Sequence, residues 1–348
     1  MRKTKADLFL FFMKVCTYFS FGIYVTACSI VYASTPQFKL SWPTPNPAYA
    51  KGYGYSAFLQ KTGPDKQFSS GAFGCVRNNG YKFHEGLDLY PLRRDSKGRA
   101  EDSVFSAMEG TVCYVNTNAA HSAYGKYIVL EHSSLKPALY SLYAHLNTIS
   151  QNIKIGTEVT AAQAIGKMGN TSSGYRIPLE RSHLHFEIGL RLTSKFQSWY
   201  KKKGFKTENR HGNYSGFNLV GFDPLQFYGQ YRQKLVRTPL DYIQSLPVTA
   251  IVRVKTNKTP DFASRYPSLS SPKVNNSNGW DVSIGPYGLP VKLSPVSQPI
   301  PNNEKNIQIL KFDSSLQKNP CRKIISQKGS QLFPTEQLQT YLELMFAL

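Results

Sequence analysis

The stretch His183-Leu184-His185-Phe186-Glu187-Ile188 is typical of a short β-strand that carries two imidazoles two positions apart. Other runs of four to eight residues are also rich in Val, Ile, Tyr and Phe, and Gly, Asn and Pro separate them. These runs are residues 104–107, 110–115, 127–132 and 138–145. The sequence therefore predicts a mainly β, antiparallel domain with few helices over residues 53–230.

Composition limits what the chain can be. Of 348 residues, 41% are hydrophobic and 18% charged, which excludes disorder throughout. Lys and Arg number 42 against 21 Asp and Glu, a net charge of +21. The partner is therefore expected to be anionic: a carboxylate- or phosphate-bearing polymer, a membrane surface or nucleic acid.

The N-terminus has the pattern of a secretory signal. Basic residues come first, an uncharged stretch follows over 15–31, and small residues end it near Ser34. We predict a signal peptide at 1–33, an entry segment at 34–52 and export to the periplasm, envelope or cell exterior. Two alternatives stay open: the leader is kept as an anchor, or Val25-Thr26-Ala27-Cys28 acts as a lipobox and Cys28 is lipidated.

Removal of the leader leaves Cys75, Cys113 and Cys321. In an oxidising compartment an odd number leaves one thiol unpaired or joined to another chain. Cys75 with Cys113 is the expected pair.

Residues 231–348 form a Pro- and Ser-rich C-terminal extension that is expected to be largely extended or loop. The exceptions are a short strand at 248–254 and an amphipathic helix from Pro334 onward. Leu338, Leu342 and Met345 lie on one stripe of that helix and are expected to pack on the main domain. An inhibitory role of the extension over the groove is left open.

Five side chains suit metal chemistry. His84 and Asp88 are four positions apart, and His183 and His185 two apart, so an extended strand would place each pair on one face. His145 ends another strand. Two His and one Asp fill three corners of a zinc tetrahedron and leave the fourth to water, the arrangement of a catalytic site.

The other ionisable residues near these motifs are expected to have lesser roles. Glu85 and Glu187 are expected on the opposite strand faces, as supporting or surface groups. His132 is expected to be structural, and His121 and His211 to be exposed in loops.

Several segments occur together in a characteristic order and spacing. They are His84-x-x-x-Asp88 and then residues 107–112, 124–132, 143–146, 156–159, 164–171, 183–188 and 223–227. Together they resemble the lysostaphin/LytM-type zinc endopeptidases of bacterial cell walls. The resemblance implies a barrel-sandwich-like β domain that cuts peptide bonds in peptidoglycan.

The resemblance also implies residue roles. His84, Asp88 and His185 would bind one Zn²⁺ per chain, and His145 and His183 would be the catalytic histidines. The expected partners are peptidoglycan peptides and anionic wall polymers, with a membrane only if the leader is kept or Cys28 is lipidated. Because neutral imidazoles ligate zinc, activity should fall on acidification.

This chain departs from the family in three basic inserts next to the ligand strands, at 90–104, 174–183 and 192–221. They leave the five key residues intact and should form groove walls, so they bear on the substrate. Alternatives to a wall hydrolase are a proteinase acting on Gly-rich proteins and a non-catalytic wall-binding or activator protein. Nucleic-acid binding rests on charge and aromatic content alone and is not expected.

Overall fold

The computed structural model describes residues 38–62, 66–272, 277–301, 306–317 and 321–347. The leader, including Cys28, lies outside the described residues. Phe38–Leu348 forms one compact unit. Within the described part of the chain, no helix is both long enough and apolar enough to span a bilayer.

The predicted antiparallel β domain is confirmed. Its strands are β1 (Gly74–Arg77), β2 (Lys82–His84), β3 (Leu87–Leu89), β4 (Ser103–Phe105), β5 (Gly110–Asn116), β6 (Tyr127–His132), β7 (Leu139–Ala144), β8 (Thr148–Ile149), β9 (Glu158–Val159), β10 (Ala164–Lys167), β11 (Leu184–Arg191) and β12 (Leu219–Gly221). A seven-stranded sheet has the order β12-β11-β7-β6-β5-β9, with β3 paired to β11. β1 pairs with β2, and β4, β10 and β8 form a three-stranded sheet.

The inner strand β11 organises the site. All eight of its residues are buried, because β3, β7 and β12 pair along its edges and side chains cover both faces. Its register places His185 opposite Asp88 of β3 on one side and opposite Ala144 of β7 on the other. Cross-strand neighbours are about 4.5–5.5 Å apart, so this register alone brings Asp88, His185 and the end of β7 together.

The extension contains more regular structure than its composition indicates. Its strands are β13 (Ala250–Lys255), β14 (Gly279–Ile284), β15 (Pro290–Val296), β16 (Ile307–Phe312), β17 (Ile325–Lys328) and β18 (Gln331–Pro334). The first four form a sheet in the order β15-β14-β13-β16, which includes the strand predicted at 248–254. Pro290 and Pro295 lie on the edge strand β15, the position in a sheet where proline is tolerated.

The helices are short and mostly support the sheets. They are α1 (Phe196–Lys202), α2 (Pro224–Arg232), α3 (Pro239–Ser245), α4 (Asp261–Arg265) and α5 (Glu336–Phe346). Thr335 caps α5, and the predicted stripe of Leu338, Leu342 and Met345 is fully buried. The indole N–H of Trp199 in α1 donates to Glu343 of α5 at 3.0 Å, so the last helix packs on the main domain as expected.

The expected Cys75–Cys113 pair is wrong. Cys75 is bonded to Cys321, across a sequence separation of 246, and Cys113 is free. Cys113 lies on β5 of the seven-stranded sheet, where its thiol donates to the carbonyl of Val129 at 3.2 Å. Cys75 lies on the β1–β2 hairpin, which faces the extension. Cys321 is therefore close to Cys75 in space although it is far from it in sequence.

A candidate metal centre

Three buried side chains converge on one point. His84 Nε2, Asp88 Oδ1 and His185 Nδ1 are separated from one another by 3.0–3.1 Å. Within the described residues they form a group whose ligand atoms all lie within 4.8 Å, with every member buried. Ligands held about 2.0–2.1 Å from a tetrahedral zinc would be roughly 3.3 Å apart, so this donor set suits such an ion.

The path of the chain between His84 and Asp88 differs from the predicted single extended strand. His84 ends β2 and Asp88 lies in β3, with a bend between them at Gly86. A Cβ at Gly86 would lie 2.2 Å from the carbonyl oxygen of Phe186 in β11. Only a glycine therefore lets the bend approach β11 closely enough to place both side chains at one point.

Backbone and carboxylate partners fix the ring nitrogens of both histidines. His84 donates its Nδ1–H to the carbonyl of Ala72 at 2.7 Å, which leaves Nε2 for the shared point. His185 donates its Nε2–H to Glu187 Oε1 at 2.9 Å, which leaves Nδ1 for the same point. Such hydrogen bonds orient metal-binding imidazoles and raise their basicity.

Glu187 is not on the opposite strand face, contrary to the expectation. It lies two residues beyond His185 on β11, and residues two apart in a strand share a face. It is buried, and the hydroxyls of Tyr124 and Tyr140 donate to its two oxygens at 2.5 and 3.0 Å. The period-two pattern that joins His183 to His185 would have identified it.

Arg77, which no sequence pattern indicates, also supports the centre. Its guanidinium forms a short hydrogen bond to Asp88 Oδ2, and its Nε donates to the carbonyl of Ser70 at 3.2 Å. One carboxylate oxygen is thus occupied and Oδ1 is left to face the histidines. Nothing in the local pattern around Arg77 indicates this contact, because it crosses from β1 to β3.

Electrostatics at the centre follow from burial and these contacts. Burial alone would raise the pKa of Asp88, but the adjacent His84 and Arg77 outweigh it and hold the pKa well below its usual range. Burial would lower the pKa of His185, but its hydrogen bonds to Asp88 and Glu187 raise it to about 9. A cation bound there would therefore displace a proton from Nδ1.

The other two predicted histidines line the same groove. The ring centroids of His145 and His183 lie 4.9 Å apart, and His183 Nε2 is 3.5 Å from Asp88 Oδ1. Each donates its Nδ1–H to a backbone carbonyl, of Thr171 at 2.8 Å and of Arg181 at 2.7 Å, so Nε2 is the ring nitrogen that each leaves for the groove. Burial, with help from the neighbouring histidines, holds the pKa of His145 well below its usual value.

His145 has a backbone φ of 59°, in the left-handed region that non-glycine residues rarely adopt. It comes directly after β7, so this conformation turns the chain at the sheet edge where the imidazole is needed. Local strain of this kind is common at functional positions.

The remaining histidines lie elsewhere. His132 is buried in the core. Its Nδ1 forms a hydrogen bond with the carbonyl of Glu109 at 2.6 Å, and its Nε2 forms one with Ser141 Oγ at 2.8 Å. His121 is exposed as expected, whereas His211 is half-buried beside the Tyr127 hydroxyl, contrary to the expectation.

Asp88 and His185 of this centre, together with His145 and His183, line an open groove of about 560 Å³. Residues 175–178 and Arg181 from one basic insert form part of its wall. The guanidinium of Arg94, from another insert, donates to Ser182 Oγ at 2.8 Å and to its carbonyl at 3.1 Å, directly before His183. The insert at 174–183 therefore forms part of the groove wall, and the insert at 90–104 braces the segment that carries His183. Contrary to the expectation, residues 192–221 do not line the groove.

Residues 82–196 match the model of Peptidase family M23. The matched segment spans less than half of the chain. The resemblance of this segment to LytM/lysostaphin-type peptidases is thereby confirmed. No curated protein matches the chain significantly.

Several solved structures also match. A variant of the catalytic domain of the prophage-encoded M23 protein EnpA from Enterococcus faecalis is 21% identical (TM-score 0.27), with 39% of this chain and 83% of that one covered. The catalytic domain of lysostaphin from Staphylococcus simulans is 21% identical (TM-score 0.27; 46% and 87% covered). A zinc-containing peptidase from Vibrio cholerae is 28% identical (TM-score 0.24; 38% and 31% covered).

Proposed function

Because residues 82–196 carry a domain of peptidase family M23, we propose that the protein is an exported zinc endopeptidase that hydrolyses peptide bonds in bacterial peptidoglycan. One observation carries the proposal: three buried ligand atoms lie 3.0–3.1 Å apart, and two of them belong to residues that line an open groove. His84, Asp88 and His185 are the proposed ligands of one zinc ion. His145 and His183 are the proposed catalytic histidines.

A bound zinc ion would supply Lewis-acid polarisation of the scissile carbonyl and would make a water molecule more acidic. The chain's own groups supply the proton handling. His145, held neutral by burial, presents an unprotonated Nε2 that can accept a proton from water. His183 lines the same groove and is the second imidazole placed to contact the substrate carbonyl.

The structure also supports export. A disulfide between Cys75 and Cys321 is expected in a protein that folds in an oxidising compartment. The signal-peptide pattern at residues 1–33 agrees with this. A net charge of +21 would favour adhesion to anionic wall polymers.

Incubation of the full chain with purified peptidoglycan tests the proposal, with soluble peptides identified by mass. The wild-type protein should contain one zinc per chain by elemental analysis and release peptides, whereas the His185→Ala variant should do neither. His121→Ala, an exposed histidine outside the groove, is the matched control and should behave as wild type.

Other results would point elsewhere. Equal release by wild type and His185→Ala would overturn the hydrolase assignment. Cleavage of Gly-rich peptides without cleavage of muropeptides would favour a general proteinase. Wall binding by a protein purified without zinc would favour a non-catalytic binder.

A further inference from the structure

The insert at 192–221, which joins β11 to β12, forms a basic and aromatic surface outside the catalytic groove. It carries five lysines and one arginine but a single acidic residue, Glu208. Aromatic residues are interleaved with the lysines in the run Lys195-Phe196-Gln197-Ser198-Trp199-Tyr200-Lys201-Lys202-Lys203-Gly204-Phe205-Lys206. Helix α1 and the turn after it are built from this run.

The turn after α1 gathers the aromatic rings. Gly204 has a φ of 68°, a left-handed conformation that suits glycine at a helix end. The chain then folds back, so that the Phe205 ring stacks on that of Tyr200 with centroids 4.5 Å apart. The ring of Phe217 lies 5.5 Å from that of Phe205, and the Trp199 ring lies 5.9 Å from Phe205.

Two of these rings face solvent. Phe205 is 41% exposed and Phe217 is 51% exposed, whereas the neighbouring Trp199 is buried. The indole N–H of Trp199 donates to Glu343 at 3.0 Å, which fixes this cluster on α5. Adjacent exposed apolar side chains on an ordered base are typical of an interaction surface.

The lysines beside the rings are available to a partner. Lys203 pairs with Glu343, with Nζ and Oε2 separated by 2.7 Å. Lys201, Lys202 and Lys206 are exposed, and none of them forms an ion pair with a residue that the structure describes. We call these three lysines, together with Tyr200, Phe205 and Phe217, the aromatic–lysine patch.

We propose that the aromatic–lysine patch binds a lipid bilayer with anionic headgroups. The exposed rings enter the interface between headgroups and acyl chains, where aromatic side chains are favoured, and the lysine ammonium groups contact lipid phosphates. An anionic polymer in water would pair with the lysines but offers the rings no apolar phase. A neutral glycan could stack on the rings but would leave the lysines unpaired. Of these three partners, only the bilayer uses both features.

This contact belongs to the folded part of the chain and does not require the leader or Cys28. It adds to the proposed function a surface on which the protein is held, and it does not depend on catalysis.

Lysine footprinting of the full chain tests the contact. The protein is mixed with vesicles of phosphatidylglycerol and phosphatidylcholine, acetylated briefly with an amine-reactive reagent and analysed by mass spectrometry after digestion. Acetylation of Lys201, Lys202 and Lys206 should slow by about fivefold, the factor equivalent to about 1 kcal/mol per lysine at an anionic surface. Vesicles of phosphatidylcholine alone should have no effect. Because the readout is local, binding of the leader to the vesicles does not produce it.

Lys154 is the internal control, because it is exposed and precedes β9, which lies at the edge of the seven-stranded sheet opposite to β12. Its acetylation should not change. Simultaneous replacement of Phe205 and Phe217 by Ser should largely abolish the protection of the three lysines. Ile155→Ser, which removes a 65% exposed apolar side chain next to Lys154, is the matched control variant and should preserve it.

Other results would overturn the proposal. Equal acetylation of the three lysines with and without anionic vesicles would do so, as would protection that survives the double Phe205 and Phe217 replacement. Protection by soluble polyphosphate as strong as that by the vesicles would assign the patch to an anionic polymer instead. None of these measurements involves peptide cleavage, so failure here leaves the proposed function intact.

Discussion

Glu187 Oε1 accepts a hydrogen bond from His185 Nε2 at 2.9 Å and thereby aims the other ring nitrogen, Nδ1, at Asp88. Glu187 is itself held by the hydroxyls of Tyr124 and Tyr140. A buried carboxylate thus sets the orientation of a proposed metal ligand, although the carboxylate itself is not one of the three groups that converge.

Glu187→Gln should weaken zinc binding by about 10- to 100-fold, because a neutral amide is a poorer acceptor for the imidazole N–H. Competition with a chromophoric chelator measures the dissociation constant. Glu158→Gln, at the exposed position of strand β9, serves as the control. Unchanged affinity in Glu187→Gln would show that the hydrogen bond has no role in metal binding.

The proposed zinc ligands and the proposed catalytic histidines should separate experimentally. Asp88→Ala should lose zinc, because it removes an inner oxygen ligand. His145→Ala and His183→Ala should keep stoichiometric zinc and lower kcat by about 10²- to 10⁴-fold, as expected when a proton-transfer group is removed. Zinc content and turnover are measured on the same preparations. Zinc loss in His145→Ala would move that residue into the ligand set.

Simultaneous replacement of Cys75 by Ser and Cys321 by Ser should lower the free energy of unfolding by about 2–5 kcal/mol, because the bond closes a long loop. Urea titration measures it, with Cys113→Ser as the control that should change stability by less than about 1 kcal/mol. Alkylation of the denatured, unreduced protein should label Cys113 and leave Cys75 and Cys321 unlabelled. Labelling of Cys75 would contradict the pairing.

Stability should fall with acidification partly through His132. Burial, which outweighs its hydrogen bond to Glu109, lowers the pKa of this histidine to about 4 from an ordinary 6.5. The unfolded chain therefore binds more protons between these values, so stability is lost as pH falls from 6.5 to 4. The loss amounts to about 3 kcal/mol.

Urea titrations of wild type and His132→Gln at pH 7 and pH 4, with metal chelated in both, isolate this contribution. The stability advantage of the wild type should shrink by about 3 kcal/mol between the two pH values. A constant difference would mean that His132 does not remain neutral in the folded protein.

The sequence by itself determined the strand pattern and the residues at the centre. Apolar runs of strand length predicted β5, β6, β7 and β11, and the ordered His and Asp motifs named all five side chains that the structure brings together. These signals are local, because a strand's periodicity and a motif's spacing are both set within a few residues.

Only the tertiary structure decided which distant groups support that centre. The hydrogen bond from Arg77 to Asp88 and the disulfide between Cys75 and Cys321 each join two segments, and neither segment's sequence indicates the other as its partner. The bend at Gly86, and not one extended strand, is what brings His84 to Asp88. Such contacts depend on strand register and on how separate elements pack, and neither is encoded in the spacing of any one stretch.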